Sequence, residues 1–84
     1  MSEYTLQRSD GCTVTGQMVD GKVDGTVTVT YPNQVVKSVE HYSMNMPVGV
    51  HQFWDESGSL VHTVKYNDNG QVIEQDGHPV DPVL

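Results

Sequence analysis

DGKVDGTVTVTYPNQ, residues 20–34, carries two glycines four positions apart, then a run in which Thr and Val alternate, then an aromatic residue and a turn. Alternation with period two marks a strand with one buried and one solvated face, and the Pro-Asn that follows closes it. Displacing the sequence by 24 positions sets Gly25 on Gly49, Val29 on Phe53, Val36 on Leu60 and Tyr42 on Tyr66. A further step back sets Cys12 on Val36 and Met18 on Tyr42. The stretch is therefore one unit of a repeat. Units fall near residues 3–19, 20–42 and 43–66, the first of them degraded, and NDNGQVIEQDG within the tail 67–84 reads as a partial fourth.

Read outward from this unit, the whole chain is strand-like. No window carries apolar residues at the three-four spacing of a helix, while Val, Thr and Tyr fill the periodic segments and Gly, Asn, Asp and Pro punctuate them. Strands are expected at about residues 3–8, 12–19, 25–31, 35–42, 49–55, 60–67 and 71–75, with turns at Ser9-Asp10-Gly11, Asp20-Gly21, Pro32-Asn33-Gln34, Ser57-Gly58 and Asn67-Asp68-Asn69-Gly70. Links this short favour an antiparallel meander, so the expected fold is all-β: repeated β-hairpins forming a single curved sheet.

Symmetric pairing about each turn sets Trp54 opposite Val61, Phe53 opposite His62, His51 opposite Val64, Gly49 opposite Tyr66 and Gly25 opposite Tyr42. A tyrosine ring lying over a strand glycine would recover the contact that the missing side chain forfeits, which gives Gly25 and Gly49 a structural reason to recur. The same pairing sorts the faces. Val27, Val29, Tyr31, Val36, Tyr42, Phe53, Leu60, Val64 and Tyr66 fall on one side, with Glu40, His51, Asp55 and His62 among them. Thr26, Thr28, Thr30, Val39, His41, Val50, Gln52, Trp54, Val61, Thr63 and Lys65 fall on the other.

GKVDGTVTVTYPNQ and MPVGVHQFWDESGSLVHTVKY resemble the MORN-type repeat, in the variant of about this length found in bacterial antitoxin-like proteins. The similarity covers residues 20–66. It touches Gly21, Gly25, Tyr31, Asn33 and Tyr42 in one unit and Gly49, Phe53, Trp54, Gly58, Leu60 and Tyr66 in the next. Gln34 stands where the turn glycine is usual, and Pro47 replaces part of the first glycine motif. The resemblance implies a hairpin-repeat scaffold for contacts with proteins or, in some members, lipids, and no general enzymatic activity.

Composition narrows the function classes. A chain of 84 residues buries only about 60–65% of the surface its unfolded form exposes, so its core is thin. Eleven acids against four basic residues give a net charge of −7, which disfavours nucleic acid and anionic membranes and favours a basic protein partner. One cysteine, Cys12, allows no intrachain disulfide, and neither a signal peptide nor a membrane span is legible, so a cytoplasmic location is expected. His51 and His62 share a face on neighbouring strands near Asp55. No close-spaced histidine pair accompanies them, so neither metal nor cofactor is expected. Serines and acids sit in turns, and Cys12 lacks a local activating group, so no catalytic residue is assigned.

A single sheet cannot cover both of its own faces. The more apolar face is expected to curl on itself or to pack against the N-terminal strand and the tail HPVDPVL. The Thr-rich face, with Trp54, Val50, Gln52, Val61, Lys65, Val39 and His41, is the candidate surface for a partner protein or a homodimer mate. The expected function is an inhibitor, antitoxin or immunity-type interaction module, acting through this face or an edge strand. The alternatives are an acidic mimic of nucleic acid, such as a phage-encoded inhibitor of a defence system, and a self-assembling structural β protein.

Overall fold

The computed structural model describes residues 2–77, and among these every regular element is a strand. β1 is Ser2–Gln7, β2 Thr13–Val19, β3 Lys22–Val23, β4 Gly25–Thr30, β5 Val36–Ser43, β6 Met46–Pro47, β7 Gly49–Trp54, β8 Leu60–Tyr66 and β9 Val72–Gly77. They form one antiparallel sheet in the order β1-β2-β4-β5-β7-β8-β9, with β3 on β2 and β6 on β5. Among the described residues the sheet does not close, so β1 and β9 are its edges there. The meander expected from the short links is the observed fold. The tail HPVDPVL and His78 lie outside the described residues.

Two-residue turns and five-residue loops alternate along the meander. Asp20 and Gly21, at φ 51° and 77°, join β2 to β3, and Met44 and Asn45, at φ 48° and 72°, join β5 to β6. Two consecutive positive φ values are what a turn needs if it is to match the twist of its strands. The five-residue loops 8–12, 31–35, 55–59 and 67–71 share one hydrogen-bond pattern: the first residue's N–H donates to the fifth residue's carbonyl, and the fourth residue's N–H donates to the first residue's carbonyl. The fourth residue has positive φ in each, as Gly11, Gln34, Gly58 and Gly70. Gln34, at φ 76°, thus holds a backbone state that glycine adopts without strain.

The register agrees with the expected pairs Gly25–Tyr42, Gly49–Tyr66, His51–Val64 and Phe53–His62. It departs from them next to the loops. A bulge between Phe53 and Trp54 sets Trp54 opposite Leu60 rather than Val61, and a bulge between Val29 and Thr30 sets Thr30 opposite Val36. One extra residue reverses the alternation beyond it. Val36 and Leu60 therefore join the Thr-rich face instead of the apolar one, and they are 36% and 52% exposed. The β1–β2 hairpin has no bulge. By its loop position Cys12 consequently corresponds to Val35 and not to Val36, while Met18 still corresponds to Tyr42.

The glycines recur for a reason other than the expected one. Between the pairs Met18–Val23 and Thr15–Thr28, β2 advances through Gly16 and Gln17 while its partner advances through Asp24, Gly25, Thr26 and Val27. One unit later, β5 advances through Glu40 and His41 against Val48, Gly49, Val50 and His51. Gly25 and Gly49 begin to absorb these insertions at φ 102° and 72°. A side chain on Gly49 would meet nothing within 4 Å and one on Gly25 would meet only Gln17, so neither glycine lies under a tyrosine ring. That arrangement occurs instead at Gly16, where the Tyr4 ring stands 2.8–2.9 Å from the place a Cβ would take.

Repeated insertions and bulges curl the leaf, whose Cα extents are 34 × 29 × 21 Å. The inside of the curl is the core face. It buries Val27, Val29, Tyr31 and Val64 together with Cys12, and also the polar Ser38, His51 and His62. Units are stitched at both ends of the sheet. Asn45 donates its N–H to the Val23 carbonyl and accepts the Val23 N–H on its side chain, and Asp24 accepts the Met44 N–H. At the other end the Tyr31 hydroxyl donates to the Trp54 carbonyl, and Asn33 donates to the Glu56 carbonyl.

Candidate functional site

The two faces offer different chemistry. Cross-strand partners share a face, so the register defines a row on the outer, Thr-rich face: Thr5, Thr15, Thr28, Val39, Gln52 and Thr63, followed by Asp76 on the edge strand. From β1 to β8 this row carries no charge. Thr13–Thr30–Val36 runs beside it, and at the far end Trp54 pairs with Leu60.

The residues assigned to the interaction surface distribute along this face. Val39 pairs with Gln52 in its centre, Val50 pairs with Lys65, and His41 pairs with Thr26, whose hydroxyl lies 3.2 Å from His41 Nδ1. Val50 is 41% exposed and Trp54 is half-buried. Val61 is the extra residue of the β7–β8 bulge and does not face Trp54 across the ladder.

The core face holds a polar cluster, at which strand alternation hinted by leaving Glu40 and His51 among apolar positions. His51, 2% exposed, lies beside the wide insertion opposite β5. Its Nε2 is 3.2 Å from the His41 N–H nitrogen, 2.9 Å from the His41 carbonyl and 3.2 Å from the Val48 carbonyl, accepting from the first or donating to the others according to tautomer. The rings of Tyr42 and Tyr66 stand 5.5 and 4.7 Å from the His51 ring. Glu40 accepts the Tyr42 hydroxyl at 2.8 Å and the Ser38 hydroxyl at 3.0 Å. His51 Nδ1 is 3.9 Å from Glu40 Oε1. Beside this cluster lies a groove of about 380 Å³ lined by Tyr4, Val14, Val23, Val27, Val29, Glu40, Tyr42 and Asn45.

Burial, with the hydrogen bond to Glu40 and that carboxylate's charge acting in the same direction, pushes the Tyr42 phenol far above its ordinary 10.0. A phenol that holds its proton more tightly folded than unfolded contributes stability that is complete below the unfolded pKa and is lost as pH rises through the folded one. Urea unfolding midpoints should therefore fall above about pH 10. Tyr42→Phe should flatten that decline, leaving the part due to Tyr31, which burial also raises. Equal slopes in wild type and variant would remove Tyr42 from this role.

Elsewhere the chemistry is that of loop formation. Asp55 Oδ1 accepts the Ser57 N–H, the Ser57 hydroxyl and the Ser59 N–H, and these bonds hold its carboxyl below the usual range. Asn67 accepts from the N–H groups of Asn69 and Gln71 in the same manner. Burial, reinforced by Asp10, pushes the Cys12 thiol up, which disfavours the nucleophilic thiolate. Among the described residues no group of three or more His, Cys, Asp or Glu side chains is placed to hold a metal ion. His51 and His62 both lie on the core face, His62 against Phe53 with ring centroids 5.2 Å apart. Among the described residues no helix is long and apolar enough to cross a membrane. No family model, curated protein or solved structure matches the chain.

Proposed function

We propose that the protein is an interaction module that binds a basic partner protein through its outer sheet face, in the manner of an antitoxin, an immunity protein or another small inhibitor. The uncharged row from Thr5 to Thr63 carries this reading. It crosses six strands of a chain with a net charge of −7 and is flanked by Val36, Val50, Trp54 and Leu60. An uncharged face with an aromatic anchor and a polar rim is what a protein interface requires. Charge elsewhere favours a basic partner: Asp20, Asp68 and Glu56 sit in exposed turns around the sheet. Dispersed in this way, they do not form the dense row of a nucleic-acid mimic. The resemblance to MORN-type scaffolds and the buried lone cysteine fit an interaction protein of the cytoplasm, without catalysis or cofactor.

The test is a comparison at Trp54. A tagged chain expressed in its native cell should co-purify with a stoichiometric partner, and Trp54→Ala should weaken that complex about thirtyfold or more. Its melting temperature should shift less than the roughly 4–8 °C that a 1 kcal/mol loss brings to a domain of this size. A variant that melts early and binds normally once folded would reassign Trp54 to the framework. Self-association has its own support, because the edges expose Leu6 on β1 and Val72 and Ile73 on β9, at 59%, 48% and 56%. Sedimentation as a strict monomer at micromolar concentration would dismiss it.

A further inference from the structure

We propose that the groove on the core face is a binding site for an alkylammonium group, with Glu40 as its counter-ion. A carboxylate among apolar walls is costly unless it is paired. The Glu40 side chain is only 20% exposed, yet its basic neighbour His51 stands 3.9 Å away, beyond hydrogen-bond distance. Tyr42 and Ser38 each donate one hydroxyl to a different carboxylate oxygen. A carboxylate has about four lone-pair sites, so acceptor capacity remains on both oxygens.

The surroundings specify the class of cation. Val14, Val27 and Val29 line the groove with methyl groups that suit an alkyl stem, and Tyr4 and Tyr42 contribute rings, whose faces attract a cation. Because each Glu40 oxygen already holds a donor, a compact ammonium with rotatable hydrogens fits better than the planar fork of a guanidinium. The volume of about 380 Å³ suits a short amine or a lysine side chain. A net charge of −7 draws cations and repels anions. The site faces away from Trp54, so it stands or falls independently of the interface proposed above.

Titration with n-butylammonium, followed by amide chemical shifts, tests the site. Saturable shifts concentrated at Val27, Val29, Glu40 and Tyr42 are expected, with n-butanol at the same concentrations producing none. Glu40→Gln should weaken binding at least about tenfold through loss of a charge-assisted hydrogen bond. A second arm uses acetyl-Gly-Lys-Gly-amide: tighter binding than n-butylammonium identifies a lysine of a protein as the source, weaker binding a free amine, and both support the site. Shifts spread over Asp20, Asp24 and Asp55, or equal shifts with n-butanol, would overturn the proposal without recourse to any variant. Tighter binding of n-butylguanidinium would overturn the choice of head group.

Discussion

Tyr31→Ala is expected to lower the stability of the domain by about 3–5 kcal/mol, the usual cost of deleting a buried aromatic ring. Tyr31 is 5% exposed and is the largest of the five buried apolar residues, Cys12, Val27, Val29, Tyr31 and Val64. Cys12 and Val29 share its cluster, with Val14 and Val35 packed against them, and the Lys37 ammonium lies 5.6 Å from the ring centroid. Its hydroxyl also ties the loop at 31–35 to the end of β7 through the 2.8 Å bond to the Trp54 carbonyl. A domain of this size is stable by only about 4–13 kcal/mol, so one such loss consumes much of the margin. Tyr31→Phe separates the contributions: it keeps the ring and forfeits the hydrogen bond, at about 1 kcal/mol. Urea denaturation followed by Trp54 fluorescence measures both. A loss below 1 kcal/mol for the alanine variant would show that the core does not depend on this ring.

How far this architecture is legible in the sequence follows from what each feature leaves in the residue pattern. Alternation in TVTVT and in the segment around His51 and Phe53 carries the register, because a slip of one residue would expose the whole apolar set. That is why four of the five expected cross-strand pairs are those observed. The bulges leave no such mark. Lys37 and Val61 are ordinary strand residues, and each is supernumerary only relative to the strand opposite. Their effect, the transfer of Val36 and Leu60 to the outer face, could not be read from the chain alone. The turn at Met44-Asn45 is not legible in the sequence for a related reason. It places a methionine at φ 48° where glycine, asparagine or aspartate would announce it, and the adjoining two-residue strands β3 and β6 are too short for periodicity to show.

The surfaces divide in the same way. The Thr-rich face was visible because it depends on alternation alone, and it holds the residues assigned to it apart from the displacement of Val61. The groove and the polar contacts of Glu40 were not visible, although alternation set that carboxylate on the apolar face. They arise where four residues are set against two, at Asp24–Val27 and Val48–His51, and an insertion of this kind is a relation between strands. Gly25 and Gly49 are the available signal, and by pairing alone they mark sites for an overlying ring. Their positive φ identifies them as hinges of the insertion, and the tyrosines opposite are released to pack on His51.

His51→Ala should therefore cost about 2–4 kcal/mol, although strand propensity alone would assign a small effect to this position. Two losses combine. The Tyr42 and Tyr66 rings lose the ring between them, and the insertion loses the side chain whose Nε2 either accepts the His41 N–H or donates to the carbonyls of His41 and Val48. The repeat supplies a control, since Val27 holds the equivalent place one unit earlier and is 6% exposed. His51→Val should restore the apolar contact and recover about half of the loss, leaving a deficit of about 1–2 kcal/mol from buried polar groups without partners. Amide exchange distinguishes the contributions: in the tautomer whose Nε2 accepts, the His41 N–H should lose protection in both variants, whereas the Val64 N–H should lose it chiefly in the alanine one. If His51→Val were as stable as wild type with the His41 amide equally protected, the histidine would be filling space, and the insertion would be held by its glycine and by the Val48 N–H bond to the His41 carbonyl alone.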